Sequence, residues 1–205
     1  MKLAGKLVAA LLVALALGAG SAWWVVDGGL GRIGFGGAAQ NGAWHTNLAI
    51  GSPAADPYIR AAVARQGLLA LSKSETIYFT AFTDDSGAAL KTNCAYVVSG
   101  GKLPARWWSI TAYGADHYLI PNKADKYSAA MNTVTWTNER FLFTVGPEKA
   151  AEGEESAKGD FVPTGYEGGD GASFSLTLRL YNPEPEVAAA PQDLTLPTVT
   201  KERCR

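Results

Sequence analysis

The sequence predicts a mainly β protein, an antiparallel sandwich or barrel, preceded by one apolar N-terminal helix. Three observations carry this. The 205 residues include 23 glycines, 10 prolines and 21 aromatics, a composition suited to short strands and tight turns. From Thr76 onward, short segments of alternating character are separated by turn signals. The first 26 residues contain a long uncharged run and no breaks.

That run comes first. Lys2 and Lys6 precede LVAALLVALALGAGSAWWVV, residues 7–26. Its length at ~1.5 Å per residue matches the ~30 Å hydrocarbon core of a bilayer. Trp23 and Trp24 stand at its far end, where aromatic rings anchor at the headgroup level. The positive-inside rule puts the lysines in the cytoplasm and the rest of the chain on the periplasmic side of a bacterial cytoplasmic membrane. The alternative is a cleaved signal peptide, with Gly20-Ser21-Ala22 as small residues at a cut site. The apolar run continues beyond that site to Val26, which favours an uncleaved signal anchor over residues 1–26. Both readings export the domain.

Residues 27–43 read as a glycine-rich linker. Gly29, Gly31 and Gly34 match the GxGxxG spacing of dinucleotide-binding loops. That loop works only between a strand and a helix, with an acidic residue about 20 positions on. Here an apolar span precedes it and more glycine follows, so the match is a tether and no cofactor is expected.

The domain proper is expected over residues 44–187. Asp56 is a good N-cap, Pro57 suits the first helical position, and the segment to residue 70 has high helix propensity. Then the period changes to two. Residues 76–83 form a first strand, and Asp84-Asp85-Ser86-Gly87 a turn. Further strands are expected over 91–98, 106–113, 133–137 and 141–145. The clearest is 173–181, with Phe174, Leu176, Leu178 and Leu180 on one face and Ser175, Thr177 and Arg179 on a wet one. The charged stretch 148–160 reads as a solvated loop, and 188–205 as an extended C-terminal tail on the surface.

From Trp44 to Tyr181 the chain resembles the bacterial domain of unknown function 1214, a domain often found beside the 1254 domain. The segments DPYIRAAVARQGLLAL, ETIYFTAF, LPARWWSITAYGADHYLIPN and FSLTLRLYNPEP carry the likeness, above all Arg106-Trp107-Trp108-Ser109 followed by Ile120-Pro121-Asn122. The resemblance implies a jelly-roll-like antiparallel β-sandwich, here a stand-alone copy behind a membrane anchor. It implies no activity and no catalytic residue.

The residues themselves narrow the chemistry. A net charge of -1 with 18% charged residues lacks the basic surplus that nucleic acid needs. No HExxH, Gly-x-Ser-x-Gly or phosphate loop occurs, and two histidines and two cysteines leave little for a metal site. The best surface is the strand at 106–113. Trp108, Ile110 and Ala112 share one face, fit for the core. Trp107, Ser109, Thr111 and Tyr113 share the other, an aromatic floor with hydroxyls of the kind that binds sugars. The bland reading places Trp107 under the 57–70 helix.

Arg106 with Asn122 and Tyr127 could hold an anion, or Arg106 could pair with Asp116 or Asp125. Asp84 and Asp85 are best read as turn residues. Cys94 and Cys204 are candidates for a disulfide that staples the tail to the sheet in an oxidising compartment. The functional expectation is an envelope protein that binds a glycan or small molecule. Two alternatives stand: an enzyme on a similar ligand, with Asp116 or Glu75 as acids, and a structural partner of another envelope protein, one with the 1254 domain included.

Overall fold

A computed structural model describes residues 2–24, 39–65, 68, 70–147, 160–165 and 171–204. Helix α1 (Lys2–Trp23) is uncharged after Lys6, and its long apolar side chains, among them Leu7, Leu11, Leu15 and Trp23, are exposed. It is long and apolar enough to cross a membrane, with a mean hydropathy of 2.0 over Leu3–Trp23 and none of that stretch buried. An exposed side chain costs apolar hydration wherever it faces water, so such a helix is built for lipid or for removal as a leader. The GxGxxG match at 29–34 and most of the 148–160 stretch lie outside the described residues.

The folded part is a β-sandwich of two sheets. The first has the order β1 (Ala39–Asn41), β2 (Trp44–Thr46), β3 (Thr76–Ala81), β10 (Phe174–Pro183), β5 (Ala105–Gly114) and β6 (Ser128–Ala130). The second has the order β11 (Thr198–Cys204), β4 (Cys94–Gly100), β8 (Arg140–Gly146) and β7 (Trp136–Thr137), with β9 (Asp160–Pro163) also on β8. All pairings are antiparallel except β8 with β9.

Alternation along the strands makes the core. Phe79, Leu178 and Ile110 stand in one rung of the first sheet, and all are at most 1% exposed. Tyr96, Val98, Phe141, Phe143, Val145 and Val199 fill the facing side of the second. The sheets meet where Trp108 packs on Phe141 at 4.4 Å between ring centroids, and where Tyr96 meets Phe174 edge-on at 5.7 Å. Such aromatic pairs contribute about 0.5–1.5 kcal/mol each beyond the area they bury.

Helix α2 (Pro57–Arg65) starts as its sequence indicates. The Asp56 carboxylate accepts hydrogen bonds from the backbone N–H groups of Tyr58 (2.8 Å) and Ile59 (2.9 Å). Its described residues run to Arg65, and residues 66, 67 and 69 of the expected helix to residue 70 lie outside the described residues. The turn at Asp84 also forms as expected: its Oδ1 accepts from the N–H groups of Ser86 and Ala88 and from the Ser86 hydroxyl.

Three expectations need correction. The linker does not run to residue 43, because β1 and β2 pair as a hairpin and Ala43 and Trp44 are buried. The strand read at 133–137 shrinks to Trp136–Thr137, and a separate strand, β6, pairs with β5. The segment 188–205 is not a surface tail. After a short helix α3 (Pro185–Ala189) and a 3-10 turn (Pro191–Asp193), it becomes β11, the edge strand paired along β4. Val187 and Val199 are fully buried in the core, and Cys94 and Cys204 form a disulfide directly across the β4–β11 pair. A polar, proline-rich composition hid a strand whose partner is about a hundred residues away.

Candidate functional site: the outer face of the six-stranded sheet

The strands β3, β10 and β5 turn their second face away from the core, and pairing puts its residues in register. Thr80, Thr177, Thr111 and Ser128 form one rung across four strands, with His45 of β2 opposite Thr80. The next rung holds Tyr78, Arg179 and Ser109, and the one beyond it Tyr181 and Trp107. On the other side Ser175 stands opposite Tyr113. The face is therefore hydroxyl-rich with an aromatic margin. It is also covered: Thr80, Thr177, Thr111, Ser109 and Ser175 are all at most 8% exposed.

Part of the cover is apolar. Ile50 and Leu68, with Ile59 and Val63 of α2 and with Ala70, pack on Tyr78 and Phe82. Tyr78 is pinned there by a 2.9 Å hydrogen bond from the Leu71 N–H to its hydroxyl oxygen. Burial pushes its hydroxyl pKa up, against smaller opposing effects of that bond and of the Arg179 charge.

Arg179 is the centre of the face. It pairs in register with Ser109, yet its Nη1 donates to Thr111 Oγ1 (3.3 Å) and its Nη2 to the Tyr113 hydroxyl (2.8 Å). The side chain thus leans along the sheet, one and two rungs from its own position. Its guanidinium lies 5.8 Å from the Tyr78 ring centroid and 5.4 Å from that of Tyr113, within cation–π range. Among the described residues no carboxylate pairs with it.

The lean ends beside a depression of about 30 Å³ lined by Leu68, Thr80, Phe82, Tyr113, His117, Ser175 and Thr177. A water molecule fills about this much space. Burial pulls the His117 pKa down, with Arg65 adding to that and Asp116 opposing it, and burial does the same to His45. Both imidazoles are neutral at neutral pH.

The residues singled out from sequence divide accordingly. Ser109, Thr111 and Tyr113 lie on this face with Arg179. Trp107 sits at its margin, packed on Tyr181 at 5.1 Å and donating through Nε1 to Asn132 (3.1 Å); it is not under α2. Trp108, Ile110 and Ala112 are core residues. Arg106 is exposed, and among the described residues it meets no carboxylate.

Asn122 is used up inside its own loop. Its amide donates to the carbonyls of Ile120 and Lys126, and its oxygen accepts from the N–H groups of Ala124 and Lys126. The Tyr127 hydroxyl donates to Asp125. Asn122 and Tyr127, grouped with Arg106 from the sequence, thus engage partners within their own loop. Asp116 accepts from the Tyr118 N–H, and Glu75 accepts from the Ser72 N–H and hydroxyl, both in local turns.

Asp84 and Asp85 serve the fold too. Asp85 accepts from the Val199 N–H, tying the turn to β11. Burial would raise the Asp84 pKa, but hydrogen bonds from Ser86 and Ala88 and the Lys201 charge together leave it lowered. Among the described residues no three His, Cys, Asp or Glu side chains gather as a metal site would require. Arg179 was missed because a charged residue in an alternating strand reads as solvent-facing; its Ser and Thr companions, in place of Lys and Glu, were the available signal.

Residues 75–185, from the start of β3 to the end of β10, match the family described as protein of unknown function (DUF1214). The chain belongs to this family. The family segment holds β3, β5, β6 and β10, so Arg179 and both tyrosines that flank it lie inside it. No curated protein matches the chain.

Among solved structures, the VPA0106 protein from Vibrio parahaemolyticus is similar at 18% identity with a TM-score of 0.55, over 73% of this chain and 36% of that one. This likeness is one of fold. An uncharacterized protein from Burkholderia cenocepacia aligns at 12% identity and a TM-score of 0.35, over 63% of this chain and 29% of that one. The chain spans about a third of the length of the structures it matches.

Proposed function

We propose that this DUF1214 domain is a binding module for a small polar ligand, held in the bacterial envelope on the periplasmic side of the cytoplasmic membrane by α1. The observation that carries the binding reading is the outer face of the six-stranded sheet. Hydroxyls, aromatic rings and a half-buried guanidinium are ranked there in register, at a position where apolar residues would stabilise the fold more. Binding sites commonly place a few polar groups of fixed geometry among apolar and aromatic walls. A glycan or small metabolite would use the hydroxyl rung for hydrogen bonds and Tyr113 or Trp107 for ring contact.

Two features support the location. Helix α1 has the length and composition of a membrane span. The Cys94–Cys204 disulfide belongs to oxidising compartments.

The test uses the full chain in detergent micelles, with its melting midpoint measured against a panel of sugars and metabolites. A ligand at 100 times its Kd adds about 2.7 kcal/mol of stability. The expected result is a hit that disappears in Thr177→Val while the unliganded midpoint holds. A panel without hits would remove the small-ligand reading and turn attention to a protein partner in the envelope.

A further inference from the structure

We propose that Arg179 is the anchor for the carboxylate of a small hydroxy acid, bound in the depression between Thr177, Ser175 and Tyr113 with its hydroxyls on the threonine rung. This rests on the outer face being the binding face and names the class of ligand it takes.

The guanidinium is the first ground. It has five N–H donors, and its described partners take two of them, both neutral oxygens. A half-buried cation is normally paired with a carboxylate or well solvated. Here it lies 5.8 and 5.4 Å from two tyrosine ring centroids, contacts that stabilise a cation and leave its three remaining donors for an oxyanion.

The direction of the side chain is the second ground. Arg179 pairs in register with Ser109, and long strand side chains lean along the strand. Its bonds to Thr111 and Tyr113 carry it toward the depression, whose lining includes Tyr113 itself. The Tyr113 hydroxyl accepts from Arg179, so its own proton is directed elsewhere, available to the same oxyanion.

Size and charge choose the group. Room of about 30 Å³ seats one oxygen of an oxyanion head, with the rest of the ligand lying outside the depression. Arg179 brings one positive charge to this face, beside neutral hydroxyls. One guanidinium balances a monoanion and leaves a phosphate dianion half compensated. Thr80, Thr177 and Ser175 beside the head each offer a hydroxyl as donor and acceptor, the partners that an α- or β-hydroxyl would meet.

The experiment titrates the full chain in detergent with matched pairs: glucose and gluconate, galactose and galacturonate, propanediol and lactate, with inorganic phosphate as a second anion. At least one acid should bind tenfold or more tighter than its neutral match and tighter than phosphate. Arg179→Gln should remove that preference, and Arg179→Lys, which keeps the charge without the fork, should retain part of it. The lysine variant also stands in should the glutamine variant not fold. Equal binding of acids and neutral matches, unchanged in both variants, would overturn the carboxylate assignment and leave the binding face intact. Phosphate as the tighter anion would overturn it as well. Binding of none of the probes by the unaltered chain would remove the assignment and the binding face together.

Discussion

The inner and outer faces of the six-stranded sheet are built by the same strands, in alternate positions, and at their centres they are almost equally dry. Phe79, Leu178 and Ile110 are 0–1% exposed on the inside, and Thr80, Thr177 and Thr111 are 3–8% exposed on the outside. At these central rungs chemistry, more than depth, separates the two faces. The inner face gains about 25 cal/mol for each Å² of apolar surface it removes from water. The outer face has hydroxyls to satisfy, and each hydrogen bond there returns only about 0.5–1.5 kcal/mol net. A polar face kept dry at that disadvantage is a face retained for something other than stability.

Four experiments would break or sharpen this contrast. The largest effect falls outside it and should strike both faces alike. Replacing Cys94 and Cys204 by serine opens a loop with a sequence separation of 110. In the chain-entropy model this removes about 4–5 kcal/mol, read as a lower denaturant midpoint. An unchanged midpoint would mean that β11 holds without its staple.

The neighbouring tryptophans come next. Trp108→Ala, on the inner face against Phe141, should cost about 3–5 kcal/mol. Trp107→Ala, which loses the Tyr181 contact and the Asn132 hydrogen bond at the margin, should cost about 1–2 kcal/mol. Equal costs in denaturation curves would erase the distinction between the faces.

Acid should act through the outer face. His45 and His117 have folded pKa values lowered below 6.5 by burial. The unfolded chain thus takes up protons first as pH falls, so this stability is fully present above about pH 7 and declines as pH drops through 6.5 toward the folded values. Melting midpoints at pH 7.5 and 5.5 should differ in that direction. The double variant His45→Gln, His117→Gln should flatten the difference.

The smallest expected change in stability is also the sharpest contrast. Thr80→Val with Thr177→Val removes both ends of one long hydroxyl contact (3.4 Å) in nearly the same shape. Removing both partners should leave stability within about 1 kcal/mol, or raise it. Ligand binding should be lost. A large destabilisation would make the rung a structural device.

Much of this was legible from local pattern. The Asp56 cap and Pro57 marked the start of α2, because capping depends on residues three positions apart or fewer. Alternation divided Trp108, Ile110 and Ala112 from Trp107, Ser109, Thr111 and Tyr113, since successive strand residues face opposite ways whatever the partner. Two cysteines allowed one intramolecular pairing, a candidate that the sandwich forms as Cys94–Cys204. Local pattern also misled. Asn122 beside an Ile-Pro looked available as a ligand, but its loop consumes the amide. Residues 198–204 looked like a tail because strand pairing on an edge needs little hydrophobicity.

The sequence by itself determined the apolar N-terminal helix, the change of period at Thr76, the membership of each strand's two faces and the family to which the chain belongs. These depend on composition and on spacings of a few residues. The tertiary structure decided which faces meet. It alone brings Arg179 to Tyr78 and to Tyr113, the nearer of them 66 residues away in the chain, and turns the guanidinium two rungs along the sheet. Register across strands is set by the whole sandwich, by the packing of Trp108 on Phe141 and of Tyr96 on Phe174, and no local signal encodes it.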